Sequence, residues 1–102
     1  MRIIKEKFLK AAAEAHPTAA AWLVLWRATV RRSAWSNINE VRKFYPAADL
    51  VTVKSKRVVT VFNVRGNHFR LVVAFHFKSQ KVFTLRFMTH AEYDRNNWKS
   101  EL

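Results

Sequence analysis

Apolar positions in the first third of the chain recur at the three-to-four-residue spacing of a helix face. Ile4, Phe8, Ala11, Ala12 and Ala15 share one face of a segment rich in Ala, Lys and Glu, which predicts a helix over Lys5–Ala15. His16–Pro17 breaks that pattern, and Pro17 suits the first turn of a second helix running to Arg31. Trp22, Leu25, Trp26, Thr29 and Val30 form the stripe of that helix, with both tryptophans read as core. The two segments predict a helical hairpin. Ser33–Asn39 reads as a connector and helix start. Asn37 followed by Glu40 resembles a capping box, and the short helix it opens ends at Phe44, before Pro46.

From Val51 onward the period changes to two. Val51–Lys54, Val58–Val64, His68–Phe77 and Lys81–Met88 are the expected strands, and Gly66–Asn67 carries a hairpin signal between the second and third. Thr89 with Glu92 three residues later predicts a capped final helix from His90 to Trp98. The expected fold is therefore α+β: an N-terminal helical hairpin packed on an antiparallel β-meander, then a short C-terminal helix, in one domain over residues 1–102.

Alternation assigns faces within the meander. Phe69, Leu71, Val73, Phe75 and Phe77 share the core face of the third strand, opposite His68, Arg70, Val72, Ala74 and His76. On the second strand, Val58, Thr60, Phe62 and Val64 oppose Val59, Val61, Asn63 and Arg65. On the fourth, Phe83, Leu85 and Phe87 oppose Val82, Thr84, Arg86 and Met88. Arg70 beside Val72 and Ala74 is expected to be partly covered, and a covered arginine needs a partner. A phosphate would fit its planar fork. Asp94 or Glu92 could pair with it instead as the chain returns.

Charge sharpens this picture. The chain holds 19 Lys and Arg against 7 Asp and Glu, a net +12. No acid lies between Asp49 and Glu92, an interval that contains Lys54, Lys56, Arg57, Arg65, Arg70, Lys78, Lys81 and Arg86. Such a stripe attracts polyanions: nucleic acid, an anionic membrane or an acidic protein. Lysine-rich strands also keep sheet edges soluble. There is no cysteine, and the 4 histidines form no close pair, so neither a disulfide nor a zinc site is expected. Lys5, Glu6, Lys7 and Lys10 interrupt the N-terminal apolar run, and Ala15–Trp26 is too short and too broken to span a bilayer. Neither a signal peptide nor a membrane role is expected, and the cysteine-free composition is compatible with the cytoplasm.

Two stretches carry a more specific signal. "FNVRGNHFRLVVAFHF" (Phe62–Phe77), followed by "RFMTHAEYD" (Arg86–Asp94), resembles the HigB branch of the RelE/ParE toxins. The order of elements over nearly the whole chain fits as well. The resemblance implies a RelE-like, microbial-RNase-like fold. It implies an mRNA interferase: a toxin of a type II toxin–antitoxin system that cleaves messenger RNA in the ribosomal decoding site. It implies a HigA-like helix-turn-helix antitoxin as partner, contact with operator DNA only through the antitoxin complex, and no cofactor or metal.

RNA cleavage by 2′-hydroxyl attack needs a base, an acid and cations for the developing charge. By the resemblance, His90 is the acid or base and Arg70, in the context Phe69-Arg70-Leu71, stabilises the phosphate. Tyr93 would stack on a base or orient the 2′-hydroxyl, and Asp94 would fix the His90 tautomer or share in proton transfer. Arg65 and Arg86 follow as phosphate contacts, with Asn63, Asn67, Lys54, Lys56 and Arg57 as further RNA contacts. The lysine pair that RelE carries on the preceding strand falls here at Val61 and Asn63, which leaves more of the proton transfer to His90 and Asp94. Beside this stands the plainer reading: Thr89 caps a helix, His90 is neutral packing, and Tyr93 and Trp98 are core. A ParE-like gyrase inhibitor and a non-catalytic basic RNA-binding module are the alternative functions. His68 and His76 are candidate RNA contacts, and His16 is a cap or surface residue.

Overall fold

A computed structural model describes residues 1–102. In chain order the elements are β1 (Arg2–Ile4), α1 (Glu6–Ala15), a 3₁₀ turn (Pro17–Ala19), α2 (Ala20–Arg32), α3 (Ile38–Phe44), β2 (Asp49–Thr52), β3 (Val58–Val64), β4 (Phe69–His76), β5 (Lys81–Thr89), α4 (His90–Asp94) and α5 (Asn97–Glu101). The expected meander is present as antiparallel β2 to β5. It is extended by β1, which pairs parallel to β5 and gives the order β1-β5-β4-β3-β2. Three residues ahead of a helix are too few to show a period, so β1 left no trace in the pattern.

Helices cover both faces of the sheet. On the first face Leu9, Leu23, Trp26, Val30, Trp35 and Val41 pack on Phe62, Val64, Leu71, Val73 and Val82. On the second, Trp98 closes over Val53, Val59, Val61, Val72 and Met88, with Tyr93 and Leu102 at its margin. A sheet buried on both sides explains why β3 and β4 are apolar on both alternations.

Three expectations about packing need correction. Leu25 does not belong to the α2 stripe; it is 68% exposed, and Leu23 takes its place beside Leu9 and Ala13 of α1. Trp26 and Val30 of the expected stripe stay fully buried. On α1, Leu9 and Ala12 are buried while Ala11 and Ala15 are exposed, and Ile4 lies in β1. The third correction is on β5. Val72 pairs with Arg86 but Val73 pairs with Thr84, so Leu85 is the extra residue of a bulge. A one-residue slip exchanges faces. Val82 and Thr84 therefore point at the helices, while Phe83 lies opposite Ala74 and Leu85 packs on the second face. The Thr84 hydroxyl sits 3.2 Å from the carbonyl oxygens of Ile4 and Lys5, where the chain turns from β1 into α1. The bulge thus gives a buried hydroxyl its partners and fixes the β1–α1 corner.

The C-terminal helix is two helices. Asn96 adopts a left-handed conformation, φ 62°, which Asn tolerates better than most residues. The break lets Trp98 fold back, 2% exposed, with its indole N–H donating to the Tyr93 carbonyl at 3.1 Å. Trp98→Ala is expected to lower the unfolding free energy by about 3–5 kcal/mol. A urea titration measures this; a midpoint within error of the parent would show that the second face does not depend on this lid.

Candidate active site

Arg70 stands at the centre of the second face, near the end of the sheet where β3 turns into β4. It is 8% exposed. It pairs across the sheet with Asn63 on β3 and Met88 on β5. The guanidinium donates to its neighbour's carbonyl, Phe69 O, at 3.0 Å and to Asn67 Oδ1 at 3.3 Å. It lies over the Tyr93 ring, 5.5 Å from the centroid. No carboxylate pairs with it: the ion pairs of the chain are Arg27–Glu6, Arg31–Glu6 and His90–Asp94. The expected alternative, a return pairing with Asp94 or Glu92, does not form. Asp94 faces His90, and Glu92 serves the helix cap.

Tyr93 is the inner wall of the same site. Trp98 stacks on its ring, centroids 5.3 Å apart at 23°. With the Arg70 guanidinium also over the ring, Tyr93 has its hydroxyl left to offer. Burial, and then the negative charge of Asp49, raise its pKa above the usual phenol value, against the pull of Arg70. The hydroxyl therefore stays protonated at neutral pH. Arg70, Tyr93, Asn63, Asp49 and Arg42 line one groove of about 470 Å³. A larger hollow of about 760 Å³ beside Met1, Arg2, Arg31 and Gln80 contains none of the motif residues. Of the sequence-predicted site residues, the smaller groove holds Asn63, Arg70 and Tyr93.

The motif that closes β5 builds the adjoining wall. Thr89 Oγ1 accepts from Glu92 N at 3.2 Å, and Glu92 Oε1 accepts from Thr89 N at 3.1 Å, a complete capping box. The backbone N–H of His90 donates to the His68 carbonyl at 3.0 Å, so α4 is pinned to the start of β4. His90 and Asp94 meet one helical turn apart, Nε2 to Oδ2 3.5 Å, both about half exposed. His90 follows Met88, the partner of Arg70, by two residues, which sets both side chains at one sheet end.

The other expected contacts divide by position. Arg65, Asn67 and His68 lie in the β3–β4 turn at this same end, Arg65 with φ 51°. Arg86 is on the Arg70 face, one alternation further along, and donates to its neighbour Leu85 O at 2.7 Å. Lys54, Lys56 and Arg57 are not brought to the groove. They occupy the β2–β3 turn at the opposite end of β3, about 20 Å from Asn63 by strand rise. His76 is likewise distant, at the far end of β4, where its ring packs on Phe83. His16 holds the cap position between α1 and the 3₁₀ turn, its backbone N–H donating to Ala12 O, but its side chain makes no cap hydrogen bond; the ring is half-buried, with centroids 5.0 Å from Phe69 and 5.5 Å from Phe87.

Arg42 and Asp49 were not legible as site residues. One sits in the last turn of α3 and the other opens β2 after a loop, and neither lies in a motif. The α3–β2 connection folds them over the Arg70 end of the sheet, with Arg42 Nε donating to Ala48 O at 3.0 Å.

A helical layer on a five-stranded sheet, with a covered arginine and a Thr-His-x-x-Tyr-Asp turn at one end, describes the class of RelE-like toxins. Residues 19–96 match the HigB toxin family, described as the RelE-like toxic component of a toxin–antitoxin system. The mRNA interferase toxin HigB of Escherichia coli K12 is 35% identical over 94 residues, covering 92% of this chain and 88% of that protein. The mRNA interferases HigB of Escherichia coli O157:H7 and of Shigella flexneri match equally well. The chain belongs to the HigB toxin family.

The cap makes a pH-dependent contribution to stability. Hydrogen bonds from the Thr89 backbone N–H and hydroxyl, with His16 and Arg95 nearby, hold the Glu92 carboxyl below its ordinary value of 4.5. A lowered folded value stabilises above the unfolded one and is lost as pH falls through the folded one. Thr89→Ala is expected to cost about 1 kcal/mol at neutral pH. Glu92→Gln should destabilise near neutrality, with a deficit that shrinks below pH 4.5. Chemical denaturation at neutral and acid pH checks both; a pH-independent Glu92→Gln deficit would show that the carboxylate charge contributes nothing.

Proposed function

We propose that this chain is a ribosome-dependent mRNA interferase, the toxin of a type II toxin–antitoxin pair. Kinship with proteins named mRNA interferases supports the reading. The observation that carries it is Arg70: a nearly buried guanidinium with no carboxylate partner, opening on a groove. Such a cation is matched by a phosphate dianion or diester, whose oxygens fit the fork.

In the proposed reaction the ribose 2′-oxygen attacks the adjacent phosphorus and the 5′-oxygen leaves, giving a 2′,3′-cyclic phosphate. The 2′-hydroxyl proton goes to a base and the leaving oxygen takes a proton from an acid. His90 fills one of these roles, since imidazole changes charge near neutral pH. Asp94, one turn on, orients the His90 ring. The Tyr93 hydroxyl, protonated and beside Arg70, donates toward the 2′-oxygen or the phosphate. Arg70 stabilises the charge on the non-bridging oxygens. Asn63, Asn67, Arg65 and Arg86 hold the strand on either side. Lys54, Lys56 and Arg57, at the far end of the sheet, would meet ribosomal RNA or message away from the scissile bond.

The same reading gives the chain a cytoplasmic site of action, a single catalytic domain and a HigA-like antitoxin. That antitoxin would inhibit either by laying acidic residues over Arg65, Arg70 and Arg86 or by bulk that bars entry to the decoding site. Operator DNA would be met only through the antitoxin complex.

The test adds purified protein to a translating extract with a defined mRNA and maps new 5′ ends, with a ribosome-free control. Cuts at fixed codon positions that need ribosomes are expected. His90→Ala should slow cutting by about 10²–10⁴-fold. Arg70→Lys, which keeps the charge but loses the fork, should slow it by about 10²-fold or more. Wild-type protein of verified fold that leaves translated mRNA intact would overturn the reading. Undiminished cutting by His90→Ala would overturn only the assignment of that residue.

A further inference from the structure

The scheme above leaves Asp49 without a role. It is the one carboxylate lining the Arg70 groove. It is also the one acid between Glu40 and Glu92 in the sequence. Its backbone pairs with Val61, two residues along β3 from Asn63, the partner of Arg70. That puts it about 7 Å from the Arg70 row, on the same face of the sheet. It is exposed and in no ion pair, although Arg42 and Arg70 line the same groove. Its negative charge is one cause, after burial, of the raised Tyr93 pKa.

A carboxylate opposes phosphate, so it does not help to hold the backbone of an RNA. What it offers is acceptor lone pairs only. With a phosphate at Arg70, the groove has room for an attached nucleotide, since small-ligand pockets begin at about 300 Å³. Asp49 would then face the edge of a base. Adenine, cytosine and guanine carry an exocyclic amine that donates to a carboxylate. Uracil presents a carbonyl oxygen in that place, and two acceptors facing each other repel. A site built around one polarity rejects the base that lacks it.

We propose that Asp49 is a specificity-determining residue, which accepts an amino-bearing base in the nucleotide beside the scissile phosphate and disfavours uracil there. Arg42, held by the Ala48 carbonyl, supplies the positive charge that lets an acid stand so close to the phosphate site. The inference rests on the interferase reading.

The experiment is the cleavage map on translated messages in which each base is varied at the cut codon, for wild type and Asp49→Asn. An asparagine can turn either its amide N–H₂ or its oxygen toward the base, so the variant removes the discrimination without a change of size. Wild type is expected to cut amino-bearing positions about tenfold or more over uracil, and the variant to bring that ratio close to one. An unchanged base profile in the variant overturns the proposal. A loss equal at all bases also overturns it, since Asp49 would then position the machinery instead. Should wild type cut nothing, the interferase reading fails by itself. Binding of 2′-O-methyl oligoadenosine and oligouridine then decides the inference. An Asp49-dependent preference for oligoadenosine upholds it, and equal binding overturns it.

Discussion

A guanidinium removed from water without a counter-charge is the constraint on which the second face of this sheet depends. Desolvating an ion carries an effective penalty of several kcal/mol. Arg70 recovers part of it from a carbonyl, an asparagine side chain and the face of Tyr93. None of these carries a negative charge. No ion pair within the chain answers the charge of Arg70. Folding energy from Trp98, Val72, Met88 and the rest of the second cluster holds the arginine in place.

This arrangement explains why cap and candidate active site coincide. Thr89 and Glu92 satisfy the backbone donors at the start of α4 and belong to stability. By fixing the first turn, they also fix the direction of His90, Tyr93 and Asp94, which leave the helix at successive angles. His90 and Asp94 then face outward together, and Tyr93 faces inward over Arg70. The cap expected at Thr89 is thus present, and it is compatible with the site role proposed for His90, Tyr93 and Asp94. A rigid first turn is what a positioned acid or base requires.

The positive charge is spread in two places with different prospects. At the Arg70 end, cations surround a groove with a carboxylate in it, which gives that end polarity as well as attraction. At the β2–β3 turn, Lys54, Lys56 and Arg57 are exposed and have no such frame. Charges of the second kind speed encounter with a polyanion and weaken in salt, without selecting among sequences. The two ends of the sheet thus differ in burial and geometry rather than in charge count.

The sequence by itself determined the α+β class, the order of the helices and meander, the two faces of β3 and β4, and the cap at Thr89. Each of these is written locally, in a period or a spacing of a few residues. It also marked Arg70 as covered, because Val72 and Ala74 flank it on one alternation. Only the tertiary structure decided the rest. The strand β1 exists because β5 offers it an edge, and the bulge at Leu85 reversed part of β5 because Thr84 found its acceptors eighty residues away in the chain. Arg42 and Asp49 reach the groove through the α3–β2 connection, and Lys54, Lys56 and Arg57 are carried from it by the length of a strand. Register, bulges and the meeting of distant segments are set by long-range packing, whose energy is shared among residues that no local pattern relates.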